Sequence, residues 1–270
     1  KITGIIQINK VDRETGVGLQ GAVFGVYNKT DNRQVATLTT DAQGQASSTA
    51  LPYGDYYVKE LTPPNGYLLD QTKHDVSINT QNATTSITIN NDKIKGKLKV
   101  IKTDGQTVKK LEGAEFTIYN KDTDAEVGKV VTNKKGEATS TDLPFGRYYF
   151  VETKAPVGYA ALNTRFDFEV EQDAGLYEFT VNNNQITGQI RIIKKDEASG
   201  AVLQGAVFGV YKKSNDTKVA EVTTDVNGVA TTVDLPYGEY YVKEITPPVG
   251  YEINTNKFKV NINTPNKVYD

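Results

Sequence analysis

Three side-chain types at fixed spacing carry the chemistry open to this sequence. Lys10, Lys102 and Lys194 each end a short alternating apolar run, after Ile6 and Ile8, Leu98 and Val100, and Ile190 and Ile192. Glu60, Glu152 and Glu244 end similar runs, after Tyr56 and Val58, Tyr148 and Phe150, and Tyr240 and Val242. Asn91 and Asn183 follow Ile87 and Ile89, and Phe179 and Val181. Side chains on a strand alternate faces with period two, so each polar residue points with its apolar neighbours toward a core. A buried Lys or Glu is rare unless paired, and burial favours the neutral form of either group. A neutral amine is a nucleophile, a carboxyl group shuttles protons, and a carboxamide carbon is an electrophile. Such a set can join Lys to Asn through an amide with loss of ammonia. The reaction turns over once, needs no cofactor and draws most of its acceleration from proximity in the folded core. In this reading Glu60, Glu152 and Glu244 are catalytic, and Lys10 with Asn91 and Lys102 with Asn183 are crosslinked. Two alternatives remain. Asn90 and Asn182 become the acceptors if a bulge reverses the alternation. Without any reaction, each Lys and Glu form a buried ion pair with the Asn as hydrogen-bond partner.

The elements that must position these residues repeat every 92 positions. Leu51-Pro-Tyr-Gly-Asp-Tyr-Tyr-Val-Lys-Glu60 recurs as Leu143-Pro-Phe-Gly-Arg-Tyr-Tyr-Phe-Val-Glu152 and as Leu235-Pro-Tyr-Gly-Glu-Tyr-Tyr-Val-Lys-Glu244. Gly21, Gly113 and Gly205 keep the same offset, as do Gly44, Gly136 and Gly228, and Tyr67, Tyr159 and Tyr251. The unit is a small domain rather than a solenoid repeat of roughly 20–50 residues. Residues 1–3 read as the link from a preceding repeat, and the units as 4–95, 96–187 and 188–270. Short Val-, Ile-, Thr- and Tyr-rich stretches between turn clusters make each unit all-β. A third acceptor would fall at position 275, so the third unit is expected to lack its final strand and Lys194 its partner. The chain reads as a piece of a longer array.

The 270 residues include no Cys, Met or Trp, and 31 Lys and Arg stand against 33 Asp and Glu. Disulfides and Cys-based metal or redox sites are excluded. The balanced charge offers no basic face for nucleic acid. No apolar run is long enough to enter a bilayer as a spanning helix. No signal peptide opens the chain, so any export signal has been removed or left out. His74, the single histidine, lies in a polar stretch and reads as solvated. Asp122-Thr-Asp124 lacks the rest of a calcium loop and reads as a hairpin turn, so no metal is expected.

The order of Lys10-Val-Asp12, Leu19-Gln-Gly-Ala-Val-Phe24, Thr40-Asp41 with Gly44, Leu51 with Gly54-Asp-Tyr56, and Glu60 with Pro64-Asn-Gly-Tyr67 resembles the B-type repeat of collagen-adhesin-like surface proteins. This repeat is also called the SpaA-like, prealbumin-like pilin domain. The resemblance covers nearly the whole chain in three copies. It implies three tandem prealbumin-like (Ig-like) β-sandwich domains in an elongated array. It also implies an extracellular, cell-wall-anchored place on a Gram-positive bacterium, and a Glu-assisted Lys–Asn isopeptide bond within each complete unit. The leading expectation is a structural stalk whose partners are neighbouring repeats of the same chain. A host-matrix or cell-surface protein is the alternative partner, through exposed Tyr57, Tyr149 and Tyr241. A pilus subunit fragment is the third reading, and a conventional enzyme is the least favoured.

Overall fold

The computed structural model describes all 270 residues and contains strands but no helix. The first unit runs β1 (Thr3–Asp12), β2 (Val23–Asn28), β3 (Gln34–Thr39), β4 (Gln45–Ser47), β5 (Leu51–Pro52), β6 (Gly54–Thr62), β7 (Lys73–Ile78) and β8 (Thr84–Asn91). The second repeats this order as β9 (Lys95–Asp104), β10 (Glu115–Asn120), β11 (Glu126–Val131), β12 (Glu137–Thr139), β13 (Leu143–Pro144), β14 (Gly146–Lys154), β15 (Arg165–Val170) and β16 (Gly175–Asn183). The third comprises β17 (Thr187–Ile193), β18 (Val207–Lys212), β19 (Lys218–Thr223), β20 (Val229–Thr231), β21 (Leu235–Pro236), β22 (Gly238–Thr246), β23 (Phe258–Ile262) and β24 (Lys267–Tyr269).

Each unit is a sandwich of two four-stranded sheets. In the first unit one sheet has the antiparallel order β3-β2-β6-β7. In the other, β1 pairs antiparallel with β4 and β5 and parallel with β8. The alternation of β1 explains the placement: Ile6, Ile8 and Lys10 face inward and are fully buried, between partly exposed neighbours. They meet Phe24 and Val26 of β2, Val58 of β6 and Ile89 of β8 in one apolar core. Each such side chain contributes roughly 1.5–3 kcal/mol on burial. A bulge at Val23/Phe24 shifts the β2–β6 register where Glu60 lies opposite Phe24, and the same shift recurs in the other units.

The third unit does have a final strand. β24 pairs parallel with β17 through Gly188–Lys267, Gln189–Val268 and Ile190–Tyr269, the register that β8 keeps with β1. It has three residues where β8 has eight. The corresponding core holds 9 buried apolar residues rather than 13.

The junctions between units share one design. The Ile94 N–H donates to the Gly66 carbonyl at 2.9 Å, and the Ile94 carbonyl accepts the Phe145 N–H at 2.8 Å. At the second junction Ile186 donates to Gly158 and accepts from Tyr237, both at 2.8 Å. Gly66 and Gly158 have φ of +84° and +86°, where glycine carries no Cβ penalty. A Cβ at Gly66 would come within 3.0 Å of the Phe145 ring, and one at Gly158 within 3.5 Å of the Tyr237 ring. Behind each turn an Asp ties the linker down. Asp12 Oδ2 accepts the Tyr67 hydroxyl at 2.8 Å and pairs with Lys93 Nζ at 2.8 Å. Asp104 Oδ2 accepts from Tyr159 at 2.8 Å and from Gln185 Nε2 at 2.7 Å. The Lys93 ammonium, joined by the Tyr67 hydroxyl, holds the Asp12 carboxyl well below the usual carboxylate range against burial, which pushes it up. Burial and the Asp12 bond push the Tyr67 hydroxyl up to about 12.

Candidate functional site

Lys10 arrives on β1, Glu60 on β6 and Asn91 on β8, and all three are buried. Lys10 Nζ donates to Asn91 Oδ1 in a short contact and to the Ile89 carbonyl at 3.3 Å. Asn91 Nδ2 donates to both Glu60 oxygens, at 2.9 and 3.0 Å. Lys10 Nζ lies 3.6 Å from Glu60 Oε1, and the Asp70 N–H donates to Glu60 Oε2 at 2.7 Å. Burial pushes the Lys10 ammonium below its ordinary value, and the Glu60 and Asp70 charges offset this only in part.

The second unit repeats the set. Lys102 Nζ makes the short contact with Asn183 Oδ1 and lies 3.2 Å from Glu152 Oε1. Asn183 Nδ2 donates to the two Glu152 oxygens at 3.0 and 2.8 Å, and the Leu162 N–H donates to Oε2 at 2.9 Å. Burial again lowers the Lys102 pKa, opposed by Glu152. The residues next door are elsewhere: Asn90 is half-buried, and Asn182 is exposed and accepts from Thr103.

The third unit brings together only two members. Lys194 Nζ lies 3.0 Å from Glu244 Oε1, but the approach misses hydrogen-bond geometry and leaves that buried oxygen without a hydrogen-bond partner. The Lys194 side chain is 16% exposed, whereas those of Lys10 and Lys102 are fully buried.

In the first two sites the carboxamide nitrogen rests on the carboxylate and the carboxamide oxygen on the amine. This arrangement fits proton transfer through Glu to a departing ammonia as Nζ bonds to the carboxamide carbon. No group of three or more His, Cys, Asp or Glu side chains is assembled to hold a metal.

Two expectations need correction. Tyr57, Tyr149 and Tyr241 are not exposed platforms. Tyr57 and Tyr241 are each 7% exposed, and Tyr149 is half-buried. Each stacks on its cross-strand partner, Tyr27, Tyr119 or Tyr211, with ring centroids 5.0, 5.0 and 5.1 Å apart. Lys73, Arg165 and Lys257 cover their rings. Stacked pairs and cations over rings are each worth about 0.5–1 kcal/mol or slightly more, so these tyrosines serve the sheet. His74 is half-buried rather than solvated, its Nε2 being 2.6 Å from Asp70 Oδ2. Asp70 is the site residue that sequence reasoning missed. It lies outside the alternating pattern, and its counterparts are Leu162 and Asn254. Burial pushes its carboxyl up, but hydrogen bonds from Thr72 and His74 outweigh this and hold it below its ordinary value.

Comparison with known proteins defines the class. The SpaA prealbumin-like fold domain matches at residues 4–93, 96–185 and 188–270, and the chain belongs to that family. The chain is 31% identical over 137 residues to the trypsin-resistant surface T6 protein of Streptococcus pyogenes, covering 50% of this chain and 25% of that protein. It is 31% identical over 77 residues to the collagen adhesin of Staphylococcus aureus, covering 27% and 6% respectively. The solved structure of the Bacillus anthracis TIE protein superposes with a TM-score of 0.81 at 34% identity, over 100% of this chain and 50% of that one. The chain thus spans a quarter or less of these curated relatives, which are surface proteins of Gram-positive bacteria. No helix is long and apolar enough to cross a membrane.

Proposed function

We propose that this chain is part of the structural stalk of a cell-wall-anchored bacterial surface protein, in which the first two units each close themselves with an isopeptide bond. The observation that carries this reading is the buried Lys–Asn–Glu cluster, formed twice with the same contacts. Neutral Lys10 Nζ attacks Asn91 Cγ, and Glu60 carries the proton from the amine to Asn91 Nδ2. The C–N bond to Nδ2 breaks and ammonia leaves, so a primary amine and a carboxamide become a secondary amide and ammonia. Lys102, Glu152 and Asn183 do the same in the second unit. Each Glu acts once, so the chain is not an enzyme in the turnover sense.

The bond joins residues 81 apart, from the first strand to the last. A disulfide closing a loop of that size is worth roughly 4–5 kcal/mol in the entropic model, and an amide acts alike without being reducible. That offsets the modest core of so short a unit. Tension entering near Gly4 would reach Lys10, cross the amide and leave after Asn91, bypassing the strands between. A stalk of such units would hold a further domain away from the wall, with each unit contacting its neighbours along the array. The repeated tyrosines that suggested a host-matrix-binding role are stacked within the sheet and lend it no support.

Intact mass tests the proposal. The chain should weigh two ammonias less than its sequence mass, and an unchanged mass would sink the reading.

A further inference from the structure

An Asn followed by Gly lets a main-chain nitrogen reach the preceding carboxamide, because Gly has no Cβ to crowd the approach. The pair occurs twice, at Asn65-Gly66 and at Asn227-Gly228. Asn65 is exposed in a turn closed by the Tyr67 N–H donating to the Pro64 carbonyl at 3.1 Å. Neither the Asn65 carbonyl nor the Gly66 N–H has a backbone partner, so the peptide unit between them can rotate. The other pair is held. Gly228 is buried, its N–H donates to the Asp225 carbonyl at 2.9 Å, and the Asn227 N–H donates to Asp225 Oδ1 at 2.9 Å. In the other units Val157 and Val249 stand where Asn65 stands. Asn65 also adjoins a junction. The Gly66 carbonyl accepts the Ile94 N–H at 2.9 Å, and the position of a Gly66 Cβ lies 3.0 Å from the Phe145 ring.

We propose that Asn65 is a self-modification site whose slow reaction loosens the first junction and spares the second. Gly66 N attacks Asn65 Cγ, and the Cγ–Nδ2 bond breaks. Ammonia leaves with the Gly66 amide proton, and a cyclic imide remains. Water then opens the imide at either carbonyl, giving aspartate or isoaspartate. Aspartate keeps the length of the main chain, whereas isoaspartate routes it through Cβ and adds an atom just before Gly66. The turn is fixed on its far side, where the Tyr67 hydroxyl donates to Asp12. The added atom is therefore absorbed at Gly66, and the Ile94 bond and the Phe145 contact give way. Val157 cannot react in this way, so the second junction keeps its geometry. The proposal does not rest on Lys–Asn closure. Opening of the imide replaces the lost ammonia with water, whereas closure leaves the ammonia lost, so the two reactions differ in mass as well as in position.

Timed peptide mapping of the 270-residue chain, incubated in water enriched in heavy oxygen, tests the site. The peptide holding Asn65 should lose ammonia, gain one labelled oxygen and contain isoaspartate. It should react at least roughly fivefold faster than the peptide holding Asn227, the rate equivalent of one net hydrogen bond. The rate should rise with pH, because the attacking nitrogen must lose its proton. Hydrogen exchange reads the junction. Protection of the Ile94 amide should fall in proportion to isoaspartate, while that of Ile186, which donates to Gly158, stays unchanged. Asn65→Val, which installs the residue of the sister turns, should abolish both effects. Freshly prepared Asn65→Asp carries the new charge without the added atom and should keep Ile94 protected. An Asn65 that stays intact while a free Pro-Pro-Asn-Gly-Tyr peptide is converted overturns the proposal, as does Asn227 reacting as fast. So does Ile94 protection that is unchanged in an isoaspartate-rich chain, or lost equally in fresh Asn65→Asp.

Discussion

The second site includes Asn183 from the end of β16, whereas in the third unit β24 spans three residues and the site holds Lys194 and Glu244 alone. Asn183 gives hydrogen bonds to both Glu152 oxygens and accepts one from Lys102, and all three side chains are buried. Where Asn is missing, Glu244 keeps a buried oxygen without a hydrogen bond and Lys194 is partly exposed. An unsatisfied buried carboxylate oxygen is costly. The Asn strand therefore completes the core, satisfies the carboxylate and dries the amine together.

The largest expected contrast is mechanical. Under pulling by force spectroscopy, units one and two should not extend, whereas unit three should unfold to its full contour length. Extension of unit one would break the comparison. Next in size is the stability contrast between closed and open forms of one unit. Glu60→Ala should restore one ammonia to the intact mass while leaving the loss from unit two, and should cost unit one roughly 4–5 kcal/mol of closure. Calorimetry together with intact mass checks both halves.

A smaller effect separates protonation from covalent closure. In Asn91→Ala the amide cannot form and Lys10 stays titratable. Its folded pKa lies below 10.5, so between that value and 10.5 the unfolded chain binds more protons than the folded one. Stability should therefore rise with pH as the pH climbs through the folded pKa, up to about pH 10, where tyrosines begin to titrate in the unfolded chain. The urea midpoint should show this slope, and Lys10→Met in the same background should remove it. The smallest effect concerns units one and two. Asp70 adds a negative charge near Lys10 that Leu162 does not add near Lys102, and it favours the charged amine. Asp70→Leu should speed closure of unit one severalfold, followed by mass in freshly translated chains. An unchanged rate would remove Asp70 from the chemistry.

Much of this was legible in the sequence because its signals are local. The 92-residue offset gave three units, and period-two alternation put Lys10, Glu60 and Asn91 on inward faces, where the structure has them. What stayed hidden depends on neighbours that alternation does not name. Tyr57 is on the outer face as the pattern says, but its burial comes from Tyr27 across the strand and Lys73 above the ring. Asp70 reaches the site from the loop after β6, through its own N–H. The short β24 lies in a polar stretch whose pairing with β17 only the assembled sheet reveals. The junctions pair a turn of one unit with a loop of the next, some 79 residues away in the case of Gly66 and Phe145.

The turn between β2 and β3 is exposed and carries Lys29 and Arg33. It lies inside the segment that a Lys10–Asn91 amide would encircle. A protease cutting there would open the chain without releasing either end, because the amide still bridges the cut. In a unit without such a bridge, one cut in the corresponding turn would sever everything beyond. Closure would therefore make a unit tolerant of backbone damage as well as of load, and a single nick in it would become a scar instead of a break.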